Sequence, residues 1–119
     1  MSSVPTKVAT TGLRLYTYQG DDATIIQCRG PLTAEHCQAL TSHVKRVIPH
    51  SKRIILDLNE VTRMDSAGLG AIAGLYASAG QAECEFFLIN YNKAVRDLLR
   101  ITNLLSVFES GARTRVRFL

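Results

Sequence analysis

Apolar and polar positions alternate through Leu13-Arg14-Leu15-Tyr16-Thr17-Tyr18, the period of a strand with one covered face. Gly20-Asp21-Asp22 is a turn by composition, and a second strand runs from Ala23 to Gly30. The two predict a hairpin, which Pro31 ends because proline cannot donate to a ladder. The period then changes. Cys37, Leu40, Val44, Val47 and Ile48 fall at helical spacing and form one apolar stripe, stopped by Pro49. Thr33 is the expected N-cap of that helix, and Glu35 favours its first turn. Arg53 to Leu58 is nearly continuous in apolar residues, which predicts a strand buried on both faces, as in a parallel sheet. A second helix is expected from Ser66 to Ala79, with Gly80 as its C-terminal stop. A strand follows over Cys84–Asn90. Asn92 caps a third helix whose Val95, Leu98 and Leu99 face inward. Leu104, Leu105, Val107 and Phe108 form a further apolar patch, and the tail Arg113–Leu119 reads as a short edge strand.

The order β-β-α-β-α-β-α is that of an α/β domain. It predicts a mixed sheet of about four to five strands, an N-terminal hairpin plus parallel strands, packed with three or more helices. Residues 1–12 are polar and read as a flexible arm, and 13–119 as one domain. The 119 residues suffice for a real core, and 46% hydrophobic with 20% charged residues is ordinary for a globular protein. No apolar run approaches the roughly 20 residues that span a bilayer. The N-terminus lacks the apolar core of a signal peptide, so membrane insertion is not expected and the cytoplasm is the expected location. Cys28, Cys37 and Cys84 are odd in number and widely spaced, as small buried hydrophobes in a reducing compartment are. A net charge of +4 permits attraction to an acidic partner or to nucleic acid and requires neither, because the cations are spread along the chain.

Chemistry concentrates at Met64-Asp65-Ser66-Ala67-Gly68-Leu69-Gly70, where the apolar strand gives way to the second helix. That helix holds Gly68, Gly70 and Gly74 among five alanines, and each interior glycine costs about 0.5–1 kcal/mol relative to alanine. It needs tertiary packing, supplied by Leu69, Ile72, Leu75 and Tyr76, and its small residues leave a smooth surface. Either Asp65 or Ser66 can be the N-cap. Ser66 as a cap and nothing more is one reading. The other is a hydroxyl shown to a visiting kinase, at a helix terminus whose free amides and dipole tolerate a phosphate.

Residues 54–70, Ile-Ile-Leu-Asp-Leu-Asn-Glu-Val-Thr-Arg-Met-Asp-Ser-Ala-Gly-Leu-Gly, resemble the signature of the anti-sigma factor antagonists of the STAS domain family, and the order of elements is similar from about residue 13 to 108. The resemblance implies a STAS-like fold and Ser66 as the phosphorylated serine. It also implies a partner-binding surface formed by Thr33, Asp65, Ala67, Gly68, Leu69 and Gly70. By resemblance, the unphosphorylated chain binds an anti-sigma factor that is also a serine kinase. Phosphorylation releases it, and a serine phosphatase resets the cycle. The chain is then no enzyme and takes no cofactor. Gly30-Pro31-Leu32-Thr33 departs from the Gly-Glu-Leu-Asp of many members, which bears on the partner. The alternative within the family is an accessory subunit of a transport ATPase, or a stress-signalling or ligand-binding module without a phosphorylation cycle.

Other chemistries fit less well. Gly68, Gly70 and Gly74 follow a strand, but a dinucleotide fingerprint wants glycine at position 73, and no convincing acid stands about 20 residues on. Met64 stands where a nucleophile elbow needs glycine. His36, His43 and His50 recur every seven residues, about 10.5 Å apart on a helix, too far for two ligands of one ion, and are expected to face solvent. Arg113, Arg115 and Arg117 read as a solvated edge-strand face.

Overall fold

A computed structural model describes residues 5–10 and 12–101, together with the backbone of 116–118. The strands are β1 (Thr6–Ala9), β2 (Arg14–Gln19), β3 (Thr24–Leu32), β4 (Arg53–Met64), β5 (Glu85–Ile89) and β6 (Val116–Phe118). The helices are α1 (Cys37–Val47), continued by a 3-10 turn over Ile48–His50, α2 (Ser66–Gln81) and α3 (Lys93–Ile101). One mixed sheet carries all six strands in chain order. β1, β2 and β3 are antiparallel neighbours, whereas β3 to β6 run parallel. The α/β class and the opening hairpin are as the patterning predicts.

The extra strand comes from the segment expected to be a loose arm. Residues 6–9 pair with Arg14–Thr17, and half-buried Val8 packs against the core. Its polar neighbours hide it because an edge strand keeps little of its surface covered. The hairpin pairing ends ahead of Pro31, as expected, but β3 itself runs on to Leu32. The β2 ladder stops at Arg14↔Arg29, so the missing N–H of Pro31 falls where β3 has β4 alone as a partner, beside a register shift.

Inward residues of the sheet (Leu15, Ile26, Cys28, Ile54, Leu56, Leu58, Phe86, Leu88) meet Leu40 and Val44 of α1, Leu69, Ile72, Leu75 and Ala79 of α2, and Val95 and Leu99 of α3 in one cluster. Each large side chain so buried contributes roughly 1.5–3 kcal/mol of transfer free energy. The other face is half open, with Ile25 39% exposed and Tyr16, Tyr18, Ile55 and Asp57 of intermediate burial. β4 is therefore not buried on both faces as its composition implies. The helices cover one side, and Ile55 and Asp57 look out from the other.

Expectations about α1 and its histidines change as well. His36, not Thr33, occupies its N-cap position, without a side-chain cap. Thr33 acts through its main-chain carbonyl, which accepts from the amides of His36 (2.9 Å) and Cys37 (2.8 Å) and folds 33–37 into a turn ahead of the helix. His43 is buried, not solvent-facing, with Nε2 2.6 Å from the Thr17 hydroxyl of β2. It shares the apolar face of α1 with Leu40, Val44 and Val47, and Thr17 satisfies its ring. His36 is also largely covered, its side chain 13% exposed and Nδ1 3.2 Å from the Thr10 hydroxyl. Only His50 of the histidines is exposed. Cys28 and Cys84 are buried and Cys37 half-buried, all as free thiols, and burial pushes the Cys28 thiol up to about 12. At the end of α2 the helix passes Gly80 to Gln81, and Glu83 takes the left-handed turn with φ 57°.

β4 continues six residues beyond the expected strand, to Met64. Past Asp57 it leaves β5 and pairs with Arg29–Leu32 of β3 alone. The Asn92 side chain takes over on the vacated side. Its amide nitrogen donates to the Val61 carbonyl (3.0 Å) while its oxygen caps α3 by accepting from the Val95 amide (2.9 Å). Gly30 is needed where this end of the sheet is crossed by the chain before β2. It has φ 107°, and a Cβ there would strike the Gly12 carbonyl. The apolar patch 104–108 and Arg113 and Arg115 lie outside the described residues.

Candidate functional site

The end of β4, the start of α2 and the turn before α1 meet at one corner. Asp65 joins them and resolves the open question of the N-cap. With extended backbone (φ −112°, ψ −174°), it turns Oδ1 onto the Gly68 amide at 3.0 Å, the capping bond of α2. Its Oδ2 accepts from the Ala34 amide, 31 residues away in sequence, at 3.1 Å. The Gly68 bond first, and the Ala34 bond second, hold this carboxyl below its usual range. Its main-chain carbonyl accepts from Leu69 (3.0 Å), the first turn of the helix.

Ser66 is consequently the first residue of α2 rather than its cap, and its side chain is exposed. Two residues on, Gly68 is buried, and a Cβ at that position would collide with the Leu32 carbonyl and lie 3.1 Å from the Met64 side chain. Glycine is required because α2 begins pressed onto the backbone of β3. Leu69 is likewise a core residue, 3% exposed. These two positions, expected on the docking surface, instead set the height and angle of the helix beneath it. The exposed side of α2 is formed by Ser66, Gly70, Ala73, Gly74 and Ala77, exposed or half-exposed in sequence. Nothing lies within 4 Å of a Cβ added at Gly70 or Gly74, so these glycines are open. The glycine pattern thus divides between close packing at 68 and bareness at 70 and 74.

A shallow groove borders the serine, lined by Thr33, Ala34, Glu35, Arg63, Met64 and Asp65. Thr33 and Asp65, expected at the site, are brought together there, and Ala67 is half-buried nearby in α2. Ala34, Arg63 and Met64 are additions. Arg63 and Met64 carry a signal in hindsight, the continuation of β4 past Leu58. Ala34 carries none, since its amide matters only through a contact made in three dimensions. Among the described residues, no group of three or more His, Cys, Asp or Glu side chains is placed to hold a metal ion. Two of the histidines are hydrogen-bonded elsewhere, His36 to Thr10 and His43 to Thr17. Chemically, the corner offers an exposed hydroxyl on a rigid helix start, beside a smooth strip and a polar groove. Within the described residues no helix is long and apolar enough to cross a membrane.

The model of the STAS domain matches residues 14–117. Among solved structures, an anti-sigma factor antagonist from Mycobacterium paratuberculosis superposes with a TM-score of 0.74 at 19% identity, over 92% of this chain and 88% of that one. The Bacillus cell fate determinant SpoIIAA in its phosphorylated form gives 0.64 at 15% identity, over 88% and 90%. The anti-sigma factor antagonist SpoIIAA in its unphosphorylated form gives 0.61 at 17%, over 73% and 82%. Identities this low speak to the fold, while the family match covers nearly the whole chain. The chain is a member of the STAS domain family.

Proposed function

We propose that this protein is an anti-sigma factor antagonist that works by partner switching. Unphosphorylated, it binds an anti-sigma factor that is also a serine kinase, through the exposed strip of α2 and the adjoining groove. The kinase transfers the γ-phosphoryl group of its ATP to the Ser66 oxygen, with the hydroxyl proton leaving to solvent or a kinase base and ADP as the other product. A serine phosphatase restores the hydroxyl by hydrolysis. The chain acts as phosphoacceptor and binding module, not as an enzyme, and works in the cytoplasm.

The observation that carries this reading is the separation of roles at 65 and 66. Asp65 does the capping, so the Ser66 hydroxyl is not consumed by the helix and stands exposed. A phosphate there would add about −1.5 to −2 charges beside the Asp65 carboxylate. The helix terminus offsets part of that charge within the free domain. A partner packed over the strip would have to bury it, which costs far more than leaving it in water.

Incubation with ATP in native extract, followed by mapping of phosphate by mass spectrometry and isolation of the kinase, tests the proposal. Phosphate is expected on Ser66 and absent from Ser66→Ala, and Ser66→Asp is expected to lose binding to the isolated kinase. Full retention of binding by Ser66→Asp would count decisively against the switch and favour a STAS module without a phosphorylation cycle.

A further inference from the structure

We infer that Arg63 is a specificity-determining residue that takes a carboxylate side chain of the protein partner at the groove beside Ser66. This rests on the docking surface proposed above and names the chemistry by which that surface selects its partner. Arg63 is exposed, the last residue but one of β4, and lines the groove with Thr33, Glu35 and Asp65. Among the described residues no ion pair engages it. The residue opposite it across the β3–β4 ladder is Pro31, which carries no charge. Asp65, its near neighbour, has both carboxylate oxygens turned onto main-chain amides, Oδ1 to Gly68 and Oδ2 to Ala34. Glu35, on the other wall, approaches His36 at 3.8 Å. Two other arginines of the sheet are matched. Arg29 lies 2.9 Å from Glu60 and over the Tyr16 ring at 4.6 Å, and Arg53 forks onto Glu85 at 2.9 and 3.0 Å. Among the described residues Arg63 has no acidic group within 4.0 Å.

An arginine held on a strand at the rim of a docking surface, with no ion pair to another described residue, fits one kind of counterpart best. A carboxylate accepts its planar fork in two parallel bonds, and partial removal of water at an interface strengthens the pair. Charge complementarity of this sort governs choice of partner and speed of encounter more than total affinity.

The test uses the full chain and the purified kinase that the phosphorylation experiment isolates. Arg63→Gln is expected to weaken binding of the unphosphorylated protein roughly three- to tenfold and to flatten its salt dependence, with Arg63→Glu weaker still. Arg63→Lys should recover part of the loss, because it restores charge without the fork. An Asp or Glu to Lys change in the kinase that restores binding to Arg63→Glu would identify the counterpart. Equal affinities for the wild type and all three variants at low salt, with Ser66 still phosphorylated, would overturn this inference and leave the switch standing. Unchanged binding of the unphosphorylated Arg63→Gln, but slower release once Ser66 is phosphorylated, would also overturn it, by assigning Arg63 to the phosphate. If no kinase modifies Ser66, the switch fails, and this inference with it. Thermal melts of each variant separate loss of contact from loss of fold.

Discussion

Single residues at the start of α2 divide cleanly between holding the helix and displaying it. Gly68 and Gly70 are two positions apart and chemically identical, yet their alanine variants should move stability in opposite directions. Gly68→Ala drives a methyl group into the Leu32 carbonyl, and overpacking against backbone costs about 1–3 kcal/mol or more. Gly70→Ala meets open space and should stabilise by about 0.5–1 kcal/mol through helix propensity. Urea denaturation of the two variants checks both signs. If Gly70→Ala also weakens kinase binding while stabilising the fold, bareness at 70 serves the partner rather than the helix. Asp65 adds a pH dependence. Its folded pKa lies below the ordinary 3.8, so the native state binds fewer protons than the unfolded chain as the pH falls through that range. The stabilisation is complete above the unfolded value and is lost toward the folded one. Asp65→Asn should remove this acid dependence, and its melting temperature should stay closer to wild type than that of Asp65→Ala, because the amide oxygen can still cap.

Elements reveal where patterning can be read and where it cannot. The hairpin, α1, the core half of β4, α2 and α3 are legible because each buries a stripe of regular period. The outer half of β4 is not. Its register advances by an extra residue between Asp57 and Glu60 and again between Val61 and Arg63, relative to β3. These bulges break the period of two, and Asn59, Glu60, Thr62 and Arg63 then read as loop. β1 escapes because a short edge strand covers too little surface to need an apolar face. His43 escapes for a different reason. On sequence alone its place on the α1 stripe is visible, but the hydroxyl that makes burial tolerable lies on β2, 26 residues earlier. That pair welds α1 to the hairpin. Thr17→Val should cost about 1–3 kcal/mol by leaving the ring unpaired. Burial first, and the neighbouring Arg46 second, lower the His43 pKa below its usual 6.5. The unfolded chain therefore takes up a proton that the native state resists. Stability should be full above pH ~6.5 and decline as the pH drops below it toward the folded value. Melting temperatures measured between pH 5 and 8 should show that slope in the wild type and lose most of it in His43→Gln.

For the molecule as a whole, the candidate corner is readable as a location and not as a shape. Asp65-Ser66 at a strand-to-helix junction marks where to look, but the participation of Ala34 and Arg63 depends on how β3 and β4 run side by side beyond β5. The proposed switch predicts a fold that hardly changes. The phosphorylated chain should keep its circular dichroism spectrum and cooperative melt, with any difference in amide exchange confined to residues around 33–35 and 64–70. Wholesale loosening of the sheet on phosphorylation would contradict eviction by charge. The strap formed by one carboxylate across Ala34 and Gly68 has a mechanical consequence for such a protein. It makes two distant stretches of chain a single knuckle, so neither can drift or be redesigned alone. A lineage that alters the turn before α1 to suit a new counterpart must preserve an amide at the bite of Asp65, or else lose the seat from which the serine is presented.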